Sequence, residues 1–551
     1  MKRKIIALCL VVAFLFSIAS CSSSSQDETE KRRTRRTTAE VTTEESELPT
    51  KTSEPAPTTS EPFYSEAPYI PEKDTPRFQY DMDLVLDDTD RTIGGHVTLN
   101  FFNTSDDDWD RLCFRDYSSV FSTPSVYGYT CPATEVTDIT NIRIADSDES
   151  LSITREAEDA SVVWVELPNQ LAPGESMTIE YDFTANVPEF GDRYGYAVGV
   201  YSLANFYPIL AVYDDDGWSH NSYYSTGECF YSEMSDYDVT MTCPEGYVLA
   251  SSGVVKAMDE VDGEYVYEVE ADNVRDFTMV TSQDFEVMET DYDGTHIQVF
   301  YFGKNGLDCE DENYLAYNGM GAEDDATVAI EASRMSLAAF NPVYGKYPYS
   351  ELDVILMPLN AGGMEYPNLV MIDISCADYH EMPITETDAY EYYDNYAVTV
   401  IAHEIAHQWF MGIVGEDSYE EAWLDESMAS FSETIFWEAY LTEDAMDEVN
   451  SFDSLNLDYS SDSMYFPINQ AFGDYESDYH FVYGIYYVGR WVIFDIREAM
   501  GRDAFNQMIL EYVQTYAYTN VTTEDYINLI YEYAGHDNEE LNEIIDRCFD
   551  L

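Results

Sequence analysis

Positively charged side chains are scarce in this chain, which has 26 Lys and Arg residues against 107 Asp and Glu residues and a formal net charge of −81. We expect no nucleic-acid partner, because this excess of negative charge would repel a phosphate backbone. A solvated acidic surface is the ordinary interpretation of such a composition. A preference for cationic peptides is a sharper interpretation, which charge alone does not establish.

Cysteine is also infrequent, with nine residues in a chain of 551. No Cys-x-x-Cys motif occurs, so a structural zinc site built on cysteine is not indicated. Cys9 and Cys21 precede the expected mature fold, and the seven that remain cannot all pair within one chain. Two pairs are close enough in sequence to form disulfides if their geometry permits it: Cys113 with Cys131, and Cys229 with Cys243.

The N-terminus has the pattern of a targeting segment. Basic residues at 2–4 precede an apolar run at 5–18, which is too short for a typical membrane span. The sequence Ile-Ala-Ser-Cys at 18–21 then resembles a bacterial lipobox, in which cleavage leaves the cysteine as the first residue, carrying lipid. We therefore predict a lipoprotein signal peptide at residues 1–21, a lipid anchor on Cys21 and an extracytoplasmic location at the cell membrane. An ordinary secretory signal is the alternative.

Residues 22–76 are rich in Ser, Thr, Glu and Pro and contain few large apolar residues. This composition predicts a disordered tether between the anchor and the fold. A basic cluster at residues 31–36 interrupts it. The cluster is interpreted either as a site of attraction to anionic lipid or as a solvated charge patch.

The sequence His-Glu-Ile-Ala-His at 403–407 is the most informative feature of the chain. Side chains at i and i+4 share one face of a helix, so His403 and His407 can bind one metal ion while Glu404 reaches toward its water molecule. Two histidines leave a zinc site one protein ligand short. Glu426 follows after eighteen intervening residues and can complete a His₂Glu site with one position open for water and substrate. We therefore predict a single Zn²⁺ cofactor.

Three further segments resemble motifs of one enzyme family. Trp-Leu-Asp-Glu-Ser at 423–427 resembles a WLNEG segment, Gly-Gly-Met-Glu-Tyr at 362–366 resembles a GxMEN motif, and Tyr-Tyr-Val-Gly at 486–489 resembles a YxKG motif. With HExxH, these segments resemble the M1 family of zinc aminopeptidases, the gluzincins related to aminopeptidase N and leukotriene A4 hydrolase. The resemblance extends over residues 77–551. The sequence departs from the family pattern at four positions: Tyr366, Asp425, Ser427 and Val488.

The resemblance implies roles for the residues around the metal. Glu404 is expected to be the general base, which takes a proton from the attacking water and passes it to the leaving amine. Tyr486 is expected to donate a hydrogen bond to the oxyanion, with Tyr483 as the second choice. Glu433 lies two helical turns beyond the ligand Glu426 and is expected to hydrogen-bond a ligand histidine. A surface acid is the alternative interpretation of Glu433.

The resemblance also implies how a substrate is held. Glu365 is expected to face the free α-ammonium group of a peptide, which would restrict cleavage to the first residue. Gly362 and Gly363 are expected to let the backbone approach an extended peptide closely. A second group that binds the amine is expected from the β domain, and Glu228 is a weak candidate for it.

The predicted fold class is α+β. Strand-like alternation, as at residues 80–86 and 96–101, predicts an N-terminal β domain at residues 77–287, which the resemblance makes saddle-shaped. Residues 288–551 are expected to form a thermolysin-like, mainly helical metallopeptidase domain, with no large C-terminal helical domain after it. The helices predicted in this domain are 396–410, 424–440, 485–500, 504–515 and 523–534.

The combined prediction is a lipid-anchored, extracytoplasmic zinc aminopeptidase that acts on peptides. Two alternatives stay open. One is a zinc hydrolase of altered specificity, either an oligopeptidase or an enzyme with a non-peptide substrate, which Tyr366 favours. The other is a surface lipoprotein that keeps the fold without catalysis, which the intact Glu404 and Glu426 disfavour.

Overall fold

The computed structural model of the chain describes residues 67–551, apart from 72, 74–75, 146, 148, 377–395, 447–448 and 450–466. The predicted signal peptide and nearly all of the predicted tether lie outside the described residues. Among the residues described, no helix has both the length and the apolar character needed to cross a membrane.

The N-terminal domain is built from β-strands, numbered here in chain order. Their bounds are β1 Phe78–Asp87, β2 Thr92–Phe102, β3 Trp109–Arg115, β4 Asp138–Ile144, β5 Ile153–Arg155, β6 Val162–Leu171, β7 Ser176–Asn186, β8 Tyr194–Ala197, β9 Val200–Leu203, β10 Ile209–Leu210, β11 Tyr213–Asp214, β12 Gly217–Trp218, β13 Ser235–Pro244, β14 Val248–Ser251, β15 Val254–Val261, β16 Glu264–Val274 and β17 Met279–Ser282.

A large sheet with the strand order β15-β16-β13-β1-β2-β7-β4 dominates this domain. Strand β1 pairs antiparallel with β2 and parallel with β13. Every second side chain of β1, from Phe78 to Leu86, is buried, as a half-buried strand requires. Two four-stranded sheets, β10-β3-β6-β5 and β14-β17-β9-β8, and a two-stranded pair, β11-β12, complete the domain. An aromatic-rich apolar core lies beneath these sheets.

The C-terminal domain begins with a five-stranded sheet of its own. Its strands are β18 Glu286–Tyr292, β19 Thr295–Tyr301, β20 Glu351–Met357, β21 Gly363–Met364 and β22 Leu369–Asp373, in the order β18-β19-β20-β22-β21. A short parallel pair, β23 Val414–Gly415 and β24 Thr519–Asn520, lies further along the chain. Strands β19, β20 and β22 are parallel, whereas the two edge strands are antiparallel to their neighbours. Edge strand β21 contains part of the predicted substrate-binding segment.

Helices form the rest of the C-terminal domain. Their bounds are α1 Glu323–Tyr344, α2 Tyr396–Ala406, α3 Glu426–Tyr440, α4 Asp478–Val482, α5 Gly489–Met500, α6 Arg502–Tyr516, α7 Thr523–Ala534 and α8 Glu539–Cys548, and a π-helical segment, Tyr483–Val488, joins α4 to α5. Helices α1, α2 and α3 contact one another in the main apolar core.

The predicted helices exist, but the bounds of four of them were wrong, and the one predicted at 504–515 extends over Arg502–Tyr516. Helix α2 ends at Ala406 instead of residue 410, because Gln408 N–H bonds the Ile405 carbonyl at 3.1 Å and the chain tightens into turns. The predicted helix 424–440 begins at Glu426, after a 3₁₀ turn at Ala422–Leu424. The predicted helix 485–500 is divided between the π segment and α5.

Neither candidate disulfide forms. All seven described cysteines are free thiols. Cys113 packs in a small apolar cluster with Trp164, whereas Cys131 packs against the larger core of the β domain. The Cys229 thiol lies 3.8 Å from the carbonyl of Tyr224. Closeness in sequence therefore does not bring these thiols into disulfides.

Arg275, which follows β16, joins the two domains. Its Nε donates to the carbonyl of Met411 at 2.7 Å, and its Nη2 donates to the carbonyl of Thr519 at 2.7 Å, both in the C-terminal domain. Its Nη1 donates to the carbonyl of Ser232 in the β domain at 3.2 Å. The residue is buried, with 4% of its surface exposed, so these bonds are shielded from water.

We expect the Arg275→Met substitution to destabilise the protein by about 2–4 kcal/mol, because it leaves three part-buried carbonyl groups at the domain junction without this donor. The midpoint of thermal unfolding measures the effect. Arg91→Met is the matched control, since the side chain of Arg91 is partly exposed, where it pairs with Glu189 and lies over the ring of Tyr196, and the substitution should change stability by no more than about 1 kcal/mol. Equal midpoints for the two variants would contradict the assigned role of Arg275.

Candidate active site

The predicted metal ligands converge on one point. His403 Nε2 lies 3.2 Å from Glu426 Oε2, and His407 Nε2 lies 3.5 Å from the same oxygen. The two imidazole rings are 4.8 Å apart and inclined at 73°. Donors at about 2.0–2.1 Å in a tetrahedral zinc site are separated by about 3.3–3.4 Å. The observed spacings therefore fit one zinc ion.

The outer nitrogen of each histidine faces a carboxylate. His403 Nδ1 lies 3.1 Å from Glu433 Oε1, and His407 Nδ1 is in direct contact with Asp425 Oδ1. A proton held on Nδ1 leaves the lone pair of Nε2 directed at the metal position. The structure thus places Glu433 in the contact expected of it and adds Asp425 on the second histidine.

In the metal-free protein, the pKa values of all three ligand side chains depart from their ordinary values. Burial lowers the pKa of His403, but its hydrogen bonds with Glu426 and Glu433 outweigh burial and raise the pKa to about 10. The pKa of His407 is raised well above its ordinary value despite burial, by the charge and hydrogen bond of Asp425. Conversely, burial raises the pKa of Glu426, yet bonds to both histidines bring it well below its ordinary value. A metal ion would replace the protons held on this cluster.

Glu404 packs against edge strand β21. A Cβ atom built on Gly363 would lie 2.3 Å from Glu404 Oε1, so only glycine allows the carboxylate this position. Burial raises the pKa of Glu404 to about 7, although the charges of both histidines lower it. A Cβ at Gly362 would meet only ordinary contacts at 3.9 Å. The close approach of the backbone to Glu404 therefore requires glycine at Gly363 and not at Gly362.

Tyr486 lies beside the metal ligands. Its hydroxyl donates a hydrogen bond to Glu426 Oε1, and its ring stacks 6.1 Å from that of His403. Burial, followed by the charge of Glu426, raises the pKa of Tyr486 well above its ordinary value, so the hydroxyl remains a donor. Tyr483 does not reach the cluster and stacks instead on Tyr487, with ring centroids 6.0 Å apart.

Two sequence features fix the π segment against α3. Ser427 Oγ donates to the carbonyl of Ile485 at 2.7 Å. A Cβ on Gly489 would lie 2.0 Å from that hydroxyl oxygen, so glycine is required for this approach. Ser427 therefore anchors the π segment by a hydrogen bond, at a position where the resembled motif has glycine. Val488, another departure from the motif, is 4% exposed and belongs to the apolar core.

Two buried carboxyl groups flank the metal cluster. Glu365 is 4% exposed and has a carboxylate oxygen within 4.8 Å of ligand atoms of Glu404 and His407. Glu228, from the β-domain segment between β12 and β13, is 9% exposed and hydrogen-bonds Glu426. Burial is the main cause that raises the pKa of both groups well above the ordinary value. The structure therefore brings the weak candidate Glu228 to the site together with Glu365.

Tyr366 is directed toward the β domain. Its hydroxyl donates to Asn205 Oδ1 at 2.7 Å, and Asn205 in turn hydrogen-bonds the buried Asp276. Gln408, which directly follows the second ligand histidine, donates to the carbonyl of Tyr366 at 3.2 Å. Tyrosine in place of asparagine thus adds a contact between domains, while Glu365 remains at the site.

Sequence reasoning missed three residues that support this site. Arg193 Nη2 forms an ion pair with Glu228 at 3.0 Å, Arg490 Nη1 forms one with Glu433 at 3.0 Å, and Gln408 connects α2 to the substrate-binding segment. Arg490 and Gln408 directly follow recognised motifs, and that adjacency could have indicated them. Arg193 lies 35 residues from Glu228 and is not adjacent to a recognised motif, so nothing in the sequence indicated this ion pair.

Comparison with known proteins agrees with this geometry. Residues 328–548 match the sequence model of the peptidase family M1 domain. Aminopeptidase M1-B of Oryza sativa subsp. japonica is 29% identical over 245 residues, which are 43% of this chain and 27% of that protein. Aminopeptidase M1 of Arabidopsis thaliana is 28% identical over 218 residues, which are 38% of this chain and 24% of that protein. The chain thus spans about a quarter of the length of these curated relatives.

Solved structures extend the comparison to both domains. A mutant M1 zinc metallopeptidase of Deinococcus radiodurans bound to a Tyr-Ser-Ala substrate has a TM-score of 0.58 and 16% identity, covering 86% of this chain and 94% of that chain. A second structure of that metallopeptidase has a TM-score of 0.55. The predicted fold, a β domain followed by a mainly helical metallopeptidase domain, is confirmed. The chain is thus similar to the M1 family in sequence over residues 328–548 and in fold over both domains.

The pKa shifts predict how pH affects the metal-free protein. Between its unfolded value of 4.5 and its folded value of about 7, Glu404 keeps a proton in the folded state that the unfolded chain releases. The contribution of Glu404 to the free energy of unfolding is therefore fully present below about pH 4.5. It is lost as the pH rises through 7, at up to about 1.4 kcal/mol per pH unit.

Thermal unfolding in excess chelator, at several pH values across this window, measures the effect. Glu404→Gln is the comparison, because it removes this titration while keeping the shape of the side chain, and its stability should fall less steeply with pH. An identical pH dependence in the two proteins would contradict the elevated pKa.

Proposed function

We propose that this protein is a zinc metalloaminopeptidase, which removes N-terminal residues from peptides. One observation carries the proposal: two buried carboxyl groups, Glu365 and Glu228, flank the convergent ligand atoms of the metal cluster. A substrate that supplies a cation there compensates their burial, and the α-ammonium group of a peptide is such a cation. The Tyr-Ser-Ala substrate bound by the Deinococcus radiodurans metallopeptidase supports this class of substrate.

The proposed chemistry divides among few groups. Zinc, when bound by His403, His407 and Glu426, supplies Lewis-acid activation of the scissile carbonyl group. Glu404 accepts a proton from the attacking water and passes it to the leaving amine as the C–N bond breaks. Its pKa of about 7 in the metal-free protein suits a group that must both take and return a proton. The hydroxyl group of Tyr486 donates a hydrogen bond to the developing oxyanion.

The restriction to the first residue follows from where the carboxylates lie. Glu365 and Glu228 belong to different domains, so the ammonium group would be held between the two. With the amine fixed there, the first peptide bond is the one that reaches Glu404 and the metal. An acetylated N-terminus would leave Glu365 without a cationic partner, which is costly in a buried site, while Glu228 would keep only its ion pair with Arg193.

The alternative of a hydrolase with altered specificity rests on Tyr366. Its hydroxyl engages Asn205, outside the metal cluster, and Glu365 keeps its position near Glu404. These contacts favour the aminopeptidase over that alternative. A non-catalytic role is disfavoured because the base, the three ligands and Tyr486 are all brought together.

We expect a peptide with a free N-terminus to be hydrolysed about 100-fold or more faster, in kcat/KM, than its N-acetylated form. Glu365→Gln should reduce kcat/KM for the free peptide about 10-fold to 100-fold, with little effect on the acetylated one. Hydrolysis of matched peptides by the zinc-loaded protein gives both values. Equal rates on the two peptides would favour an oligopeptidase.

Glu404→Gln provides the control for this experiment, since it should abolish turnover of both peptides while leaving the three metal ligands intact. Turnover that survives this substitution would point to another base or to a contaminating peptidase. A folded, zinc-loaded protein that hydrolyses neither peptide would contradict the proposed function.

We also propose that the enzyme is an extracytoplasmic lipoprotein held at the cell membrane through Cys21. The support is the lipobox-like sequence at 18–21 and the tether composition that follows it. Expressed in a bacterium, the full chain should partition into the detergent phase, and Cys21→Ala should not. If both forms partition into the aqueous phase, the anchor is absent and an ordinary secretory signal is the better interpretation.

A further inference from the structure

Asp425 is the most deeply buried carboxylate around the metal position. The side chains of Asp425 and His407 are each 1% exposed, and Oδ1 of Asp425 is in direct contact with Nδ1 of His407. Since His407 Nε2 faces Glu426, the Nδ1 side of the ring is the side left to be oriented by another group. Asp425 therefore determines which nitrogen of His407 carries the proton.

The two ligand histidines differ in how their carboxylate partners are compensated. Glu433, the partner of His403, is 17% exposed at the side chain and is ion-paired with Arg490. Asp425 has no ion pair with Lys or Arg among the described residues, and its Oδ2 is buried without a hydrogen-bond partner there. Among the described residues, the negative charge of Asp425 is thus balanced by the two ligand histidines, chiefly His407, and by whatever they bind.

The motif that this segment resembles has asparagine at the position of Asp425. An asparagine amide oxygen could accept the same hydrogen bond from Nδ1, but it would carry no charge. Aspartate keeps the geometry and adds a full negative charge behind a metal ligand, which makes the imidazole a stronger donor to a cation. The effect is large when the charge is buried and has no competing cation.

We propose that Asp425 is a positioning residue that orients His407 and, through its uncompensated charge, tightens the binding of zinc. The inference concerns the metal site and does not depend on which substrate is cleaved. Removing a charged outer partner of a metal ligand typically weakens metal binding about 10-fold to 100-fold. Glu433 should matter less, because Arg490 already offsets its charge.

The test compares the zinc affinity of the purified parent protein, Asp425→Asn and Glu433→Gln by competition with a chromophoric chelator, without substrate. We expect the dissociation constant to rise about 10-fold to 100-fold in Asp425→Asn and by a smaller factor in Glu433→Gln. A change of less than about threefold in Asp425→Asn would overturn the proposal. A loss in Glu433→Gln as large as that in Asp425→Asn would overturn the assignment to uncompensated charge.

The visible spectrum of the cobalt-substituted protein is the second readout. It reports the ligand field of His407 and should shift in Asp425→Asn, whereas a merely structural role would leave it unchanged. If Asp425→Asn does not fold, Asp425→Ser, which leaves room for a bridging water, is held to the same affinity criterion. Both measurements are made without peptide, so a failure of the aminopeptidase proposal would leave them unaffected.

Discussion

The structure depends on the burial of several carboxyl groups around one point. The groups with this property share exposures of 9% or less: Glu228, Glu365, Glu404, Asp425 and Glu426. Burying unpaired negative charge is costly, so such a cluster persists only if protons or cations occupy it. Burial raises the pKa of Glu228, Glu365 and Glu404, which favours protons on these three groups when no cation is present. In the proposed function, a metal ion and the ammonium group of a substrate replace these protons, so one cause would account for affinity for both.

The junction between the domains is part of the site. Glu228 comes from the β domain, whereas the ligands and the base come from the C-terminal domain. Arg275 fixes the junction through carbonyl groups of both domains, and Tyr366 joins the substrate-binding segment to Asn205. A shift of the junction would separate Glu228 from Glu365, so the proposed recognition of a substrate N-terminus requires this interface to be rigid.

Sequence could predict the parts of the site that local geometry fixes. The i, i+4 spacing of His403 and His407 determines their common face, and the position of Glu426 follows from the motif. It could not predict that α2 ends at Ala406, or that a π segment presents Tyr486, because those features depend on packing between elements. The ion pair between Arg193 and Glu228 was beyond reach for the same reason. The departures from family motifs became intelligible only once their partners were visible.

The central claim is that this acidic cluster holds one zinc ion through two imidazole nitrogens and one carboxylate. Zinc-edge X-ray absorption of the purified protein, together with its metal content, tests the claim most directly. The account predicts one zinc per chain with two nitrogen ligands at about 2.0–2.1 Å, low-atomic-number ligands only, and multiple scattering from two imidazoles. A sulfur ligand at about 2.3 Å, a single imidazole, or a folded protein that retains no zinc would contradict it.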